Sequence, residues 1–134
     1  MFQLKYLIIL ISLCGIPALL CGQDECFDEC INSDGYKHEQ TLALNANNDF
    51  NLKPTRENGY YKDFYKLNLL LRLLECRTIC GDYQWPEEDC QLYFDYYYET
   101  FVNKWANTIY YDGLCSLLNT FMNDNFGCNV PSPC

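Results

Sequence analysis

The stretch Leu67–Cys80, LNLLLRLLECRTIC, decides the fold. Leu69, Leu73, Cys76 and Cys80 recur at steps of four, three and four residues, the spacing of one helical face. Leu67, Leu70, Leu71 and Leu74 widen that face until little but Asn68, Arg72, Glu75 and Arg77 is left for water. A helix apolar over so much of its circumference has to be covered by other helices. Its two cysteines, one turn apart on the same side, mark where a covering element is bolted on.

Toward the N-terminus, Asp24–Ser33 (DECFDECINS) carries a second pair at the same spacing, Cys26 and Cys30. Phe27 and Ile31 form a neighbouring stripe, Asp24 and Glu25 suit a helix start, and Asp34-Gly35 ends the helix. Two such helices zip together over adjacent turns. Antiparallel packing predicts Cys26–Cys80 and Cys30–Cys76, whereas parallel packing predicts Cys26–Cys76 and Cys30–Cys80. The antiparallel pairing is preferred as the simpler return path. Between the two elements, from Tyr36 to about Asn58, no period is sustained among the asparagines, Pro54 and Asn58-Gly59. That segment reads as a long surface connection with one weak helical turn at most, either a functional loop or a disordered one.

Helix two is expected over Tyr60–Cys80, stopped by Gly81. Pro86 fits a first helical position, with Glu87, Glu88 and Asp89 behind it to suit the helix dipole. Cys90, Phe94, Tyr97, Phe101 and Trp105 continue one face, so helix three runs from Pro86 to Thr108. Asp112 caps a last helix, Asp112–Asn125, through Leu114, Leu118, Phe121 and Met122. Aromatic content inside YFDYYYETF favours a strand, but the preceding acids and the continuing period favour helix. The expected fold is all-α, a small disulfide-stapled irregular bundle of about four helices.

Met1–Gly22 has the layout of a secretory signal peptide, with Lys5 ahead of the apolar run Tyr6–Leu13. Gly15 and Pro17 interrupt a segment already short of the roughly 20 residues a membrane span requires. Removing 22 of 134 residues leaves 112, a single domain over 23–134. Cys14 and Cys21 leave with the leader. Cys26, Cys30, Cys76, Cys80, Cys90, Cys115, Cys128 and Cys134 remain, an even set that implies four disulfides in an oxidising, extracellular compartment. A structural zinc site would need preserved thiolates, which export opposes, so no metal and no cofactor is expected.

The whole chain carries a formal charge of −9, and from Asp82 onward Lys104 is the only basic residue. Such a surface repels phosphate backbones and sulfated glycans, which argues against nucleic acid as a partner. Lys53–Arg77 is the exception, with six basic residues against three acids, read as the solvated strip of the Leu-rich helix. Catalytic inventory is thin: one histidine, His38, and Ser33, Ser116 and Ser132 outside the leader. No nucleophile elbow, phosphate loop or EF-hand loop occurs. Glu87, Glu88 and Asp89 point in different directions on a helix and need no catalytic explanation. Twelve tyrosines are the remaining oddity, and Tyr96, Tyr97 and Tyr98 are the candidate binding residues, since tyrosine joins an apolar body to a polar tip. Three consecutive positions span most of a helix circumference, so at least one of them should face solvent.

A signal peptide, CxxxC, a long spacer, CxxxC and further cysteines resemble nematode secreted cysteine-rich families, nearest the chondroitin-proteoglycan-type domain of eggshell proteins. The resemblance rests on Cys26 and Cys30, Cys76 and Cys80, and YDGLCSLLNTFMNDNFGC around Cys115 and Cys128. It implies an extracellular matrix role, yet no Ser-Gly attachment pair for a glycosaminoglycan is present. Saposin-like proteins and the twin-CxxxC mitochondrial chaperones are more distant comparisons, differing in cysteine spacing and, for the latter, in the leader. The residues therefore predict a secreted, non-enzymatic binding protein with an extracellular protein partner. The rival expectations are a matrix or eggshell component and a carrier of small apolar ligands.

Overall fold

A computed structural model describes residues 21–81 and 85–134, with side chains from Glu25 onward. The leader read from residues 1–22 lies, up to residue 20, outside the described residues. Five helices follow in order: α1 Cys21–Ile31, α2 Asp34–Leu52, α3 Arg56–Gly81, α4 Glu87–Tyr97 and α5 Tyr111–Asn119. A π-helical turn Tyr98–Val102 and a 3-10 turn Asn103–Trp105 extend α4, and a π-helical segment Thr120–Asn125 extends α5. Among the described residues there is no strand, and no helix is long and apolar enough to cross a membrane. The protein is a small all-α, disulfide-stapled fold.

Helix α3 is the axis. Leu67, Leu71 and Leu74 on it are fully buried, each contributing roughly 1.5–3 kcal/mol by leaving water. They meet Cys90, Phe94 and Tyr97 of α4, Phe101 and Val102 of the π turn, and Leu114, Leu118 and Met122 from α5 and its extension. The expected face of α4 is present: Cys90, Phe94, Tyr97 and Phe101 are all buried and Trp105 half-buried. The helix does not run on to Thr108, because the wider π turn rotates Phe101 and Val102 into the core together and the chain leaves at Trp105. Pro86 sits one position before the first helical residue, with extended backbone (φ −63, ψ 150). Asp112 lies in the first turn of α5 and does not cap it; Tyr110 holds the cap position with no side-chain bond.

Four disulfides staple this arrangement: Cys26–Cys80, Cys30–Cys76, Cys90–Cys128 and Cys115–Cys134. The first two join α1 to α3 with residue numbers running in opposite senses, as antiparallel packing requires. Cys90–Cys128 clamps the start of α4 to the end of the α5 segment, and Cys115–Cys134 holds the C-terminal tail.

The segment Tyr36–Asn58, read from the sequence as a loop, is mostly helix α2, and this changes the count from four helices to five. Asp34-Gly35, expected to end the first helix, instead begins the second. Ser33 makes the turn: its hydroxyl accepts the amide of Tyr36 at 3.2 Å, an N-cap with Asp34 behind it in the first turn. At the far end Lys53, preceding Pro54, is extended (φ −140, ψ 91), which stops α2 and turns the chain back into α3. Helices α1 and α2 thus form one broken arm lying antiparallel along α3. A polar contact locks the seam, where Asn68 Nδ2 donates to Glu39 Oε2 at 2.6 Å. Asn68, assigned to water from the sequence, is 7% exposed because α2 covers it.

Candidate functional site

The three tyrosines singled out from the sequence go separate ways. Tyr97 is buried at 6% exposure, where desolvation first, then Tyr93 and Tyr96, push its hydroxyl pKa up to about 12. Tyr98 is half-buried and shares a 2.6 Å hydroxyl–hydroxyl hydrogen bond with Tyr111. Only Tyr96, at 61% exposure, is open to a partner. Three consecutive positions spread around the helix, and Tyr96 is the one of them that faces solvent.

Among the described residues, two hollows border the α2–α3 hairpin. One groove of about 360 Å³ runs along its seam, between Leu42, Asn45, Ala46 and Asp49 of α2 and Asn58, Tyr61 and Tyr65 of α3. Small Ala46, itself buried, is among the residues that line it. Tyr61 and Tyr65, four residues apart, stack with ring centroids 6.3 Å apart and planes 21° from parallel. Tyr61 is 41% exposed, so its ring is available to a partner. Asn58 is fixed from below: its Nδ2 donates to the Lys53 carbonyl at 2.9 Å, and its amide is capped by Thr55 Oγ1 at 3.1 Å. Behind this groove Tyr60 stacks on Tyr110 at 4.7 Å and meets Trp105 edge-on at 6.2 Å. Burial, then Tyr61, Tyr65 and Tyr110, raises the Tyr60 hydroxyl pKa. A Cβ on Gly113 would lie 2.8 Å from the Tyr60 hydroxyl oxygen, so a side chain there would have to displace the end of that ring.

A second cleft, of about 350 Å³, opens on the other side of the hairpin turn beside Phe50, Arg56, Lys62, Lys104 and Trp105. Asp63, 9% exposed, anchors its wall. Asp63 Oδ2 accepts the indole Nε1–H of Trp105 at 2.8 Å and pairs with the Lys104 ammonium at 2.8 Å. A third hollow, about 270 Å³, borders the Cys30–Cys76 disulfide and is lined by Tyr36, Glu39, Arg72 and Glu75. Arg72 pairs with Glu75 at 3.3 Å and lies 5.0 Å over the Phe121 ring.

His38 is exposed on α2, and Ser33 spends its hydroxyl capping that helix. Ser116 and Ser132 are exposed, the latter accepting the Cys134 amide at 3.1 Å. Glu87 and Glu88 are exposed at the α4 start. Among the described residues no group of three His, Cys, Asp or Glu side chains is placed to hold a metal ion. Sequence reading missed Asn45, Asn58, Phe50 and Trp105 as groove residues, because their shared surface depends on α2 being a helix. The tyrosines at Tyr60, Tyr61 and Tyr65 were one available signal and the cluster of bases in Lys53–Arg77 another, and the bases resolve unevenly. Lys62 rests 4.6 Å from the Phe50 ring and Arg77 4.4 Å from Phe27, so aromatic faces cover part of what reads as a solvated strip. No family model, no curated protein and no solved structure matches the chain.

Proposed function

We propose that this chain is a secreted, non-enzymatic binding protein whose contact surface is the tyrosine-lined groove between α2 and α3. The observation that carries the reading is the stacked Tyr61–Tyr65 pair, with Tyr61 exposed and Tyr65 half-buried, beside Asn58 on the same helix and opposite Asn45 of α2 across a concave seam. Tyrosine rings supply large contact area at little conformational cost, and the exposed amide of Asn45 supplies adaptable hydrogen bonds. Four disulfides suit export into an oxidising compartment. The partner class is an extracellular protein; the acidic surface disfavours nucleic acid.

A matrix or eggshell role, which the cysteine spacing resembles, draws support from large apolar side chains left in water, notably Leu52 at 86% and Ile109 at 88% exposure. Such a component should self-associate. The lipid-carrier reading needs a hollow behind the leucine face, and that face is packed by Phe94, Val102, Leu114, Leu118 and Met122.

The test is a side-by-side capture from the extracellular fluid of the organism that makes the protein, using the oxidised protein and its Tyr61→Ala/Tyr65→Ala variant. A protein retained by the first and lost by the second supports the groove. Equal retention by both, or a concentration-dependent shift in elution volume with no partner, overturns it in favour of another surface or of self-assembly.

A further inference from the structure

We infer that the cleft beside the α2–α3 turn is a second site, which binds a small organic anion with a flat apolar body. In a chain of net charge −9, this cleft gathers three cations against one carboxylate. Lys104 is the only base after Asp82, and the turn that follows α4 delivers it beside Arg56 and Lys62 of α3. Asp63 neutralises Lys104 alone, and Asp63 is also committed to the Trp105 indole. Arg56 and Lys62 form no ion pair among the described residues. Arg56 is moreover the first residue of α3, where the helix dipole adds positive potential.

The floor explains why a bare inorganic anion is not the best fit. Phe50 and Trp105 close over Gly59, where a Cβ would come within 3.3 Å of Phe50 Cε1 and 3.6 Å of Trp105 Cη2. With no side chain at Gly59 the two rings make an apolar bed, and the Lys62 ammonium already sits over one of them at 4.6 Å. Cationic donors above aromatic rings match a ligand with a carboxylate or sulfonate head and a planar apolar body. The volume, about 350 Å³, falls within the range of small-molecule sites. Long polyanions are disfavoured, because the acidic surface beyond the cleft would repel the rest of the polymer.

The test titrates the full oxidised protein at pH 7 with 1-naphthoate by calorimetry, beside 1-naphthalenemethanol and sodium sulfate. Saturable one-to-one binding of naphthoate is expected, at least tenfold tighter than the uncharged alcohol or sulfate, and weakening as salt is raised. Arg56→Gln/Lys62→Gln should bind naphthoate at least tenfold more weakly with an unchanged circular dichroism spectrum, because Arg56 is exposed, Lys62 is half-buried and neither forms an ion pair among the described residues. Tyr61→Ala/Tyr65→Ala should bind it as the parent does, which separates this site from the tyrosine groove. Absence of saturable heat at millimolar naphthoate, equal affinity for the alcohol, equal affinity for sulfate, or no loss in the double glutamine variant would each overturn the inference.

Discussion

Replacing Cys26 and Cys80 by alanine, then Cys30 and Cys76, then all four, gives a quantitative test of the α1–α3 zipper. The two bridges close loops of 54 and 46 residues, each worth about 4 kcal/mol alone in the chain-entropy account. They are nested, however. With one bridge in place, the other closes only a ring of roughly eight residues, about 2.5 kcal/mol. Removing either pair should therefore cost about 2.5 kcal/mol, and removing both about 6.5 kcal/mol, roughly 1.5 kcal/mol more than the sum of the separate losses. The larger figure is comparable with the whole stability of a domain this size.

Urea unfolding followed by circular dichroism reads these values, and each single pair should lower the midpoint by roughly 1–2.5 M. Hydrogen exchange adds a local readout. From Glu25 to Ile31 no residue of α1 is buried, so the bolts rather than packing hold it down. In the four-alanine variant, amides of 26–31 should exchange as an unprotected segment while Leu67–Leu74 stay the slowest. A four-alanine loss no larger than the sum of the two pairs refutes the nested-loop argument. Persistent protection of α1 refutes its dependence on the bolts.

Trp105→Phe keeps a ring against Tyr110 but removes the donor to Asp63, and should cost about 1–2 kcal/mol, seen as a lower melting temperature. Asn68→Ala breaks the bond from α3 to the Glu39 carboxylate and should cost about 1–2 kcal/mol. Asn68→Asp should be worse at pH 7 than at pH 4, where one of the two facing carboxyl groups can protonate. Alkaline pH should unfold the protein through its tyrosines. Burial raises Tyr97 to about 12, and the Tyr98 hydrogen bond, then burial, raises Tyr111 to about 12, above the ordinary 10.0. The neutral phenols are favoured in the fold, so their stabilisation is complete below pH 10 and is lost as pH rises toward 12. Absorbance titration at 295 nm should show a late-ionising fraction coincident with loss of ellipticity, diminished by Tyr97→Phe.

The aromatic face of α4 was legible because it buries large side chains at helical spacing; on α3 the core falls on Leu67, Leu71 and Leu74, while Leu69 and Leu73, the centre of the face read from the sequence, are only half-buried. Leu67, Leu71, Leu74, Cys90, Phe94 and Tyr97 are all core residues. The cysteine pairs were legible only in part: once the two i, i+4 pairs are taken to bond each other two registers remain, and the structure has the antiparallel one, preferred from the sequence as the simpler return path. The π turns were not legible. Phe101 with Val102, and Phe121 with Met122, are adjacent buried pairs, but so are Leu114 and Cys115 within the regular helix α5, so adjacency alone does not mark a π turn.

Helix α2 escaped notice for a different reason, one that bears on function. Tyr36, Glu39, Ala43, Ala46 and Phe50 step by three, four, three and four residues and are the positions turned toward cover, but Ala46 alone is buried. Two alanines and a glutamate leave no hydrophobic signature, while Leu44, the kind of residue a period search weights most, is 60% exposed. The opposing partner on α3 is Asn68, so the seam closes by a hydrogen bond and close approach of small side chains more than by apolar volume. A leucine-filled seam would have been plain in the sequence and would also have had no grooves. The same small and polar residues that hid α2 leave the hollow beside Tyr61 and Tyr65, and the break at Pro54 that ends α2 opens the cationic cleft on the other side. Concave binding surface and weak periodicity are here two consequences of one choice of residues.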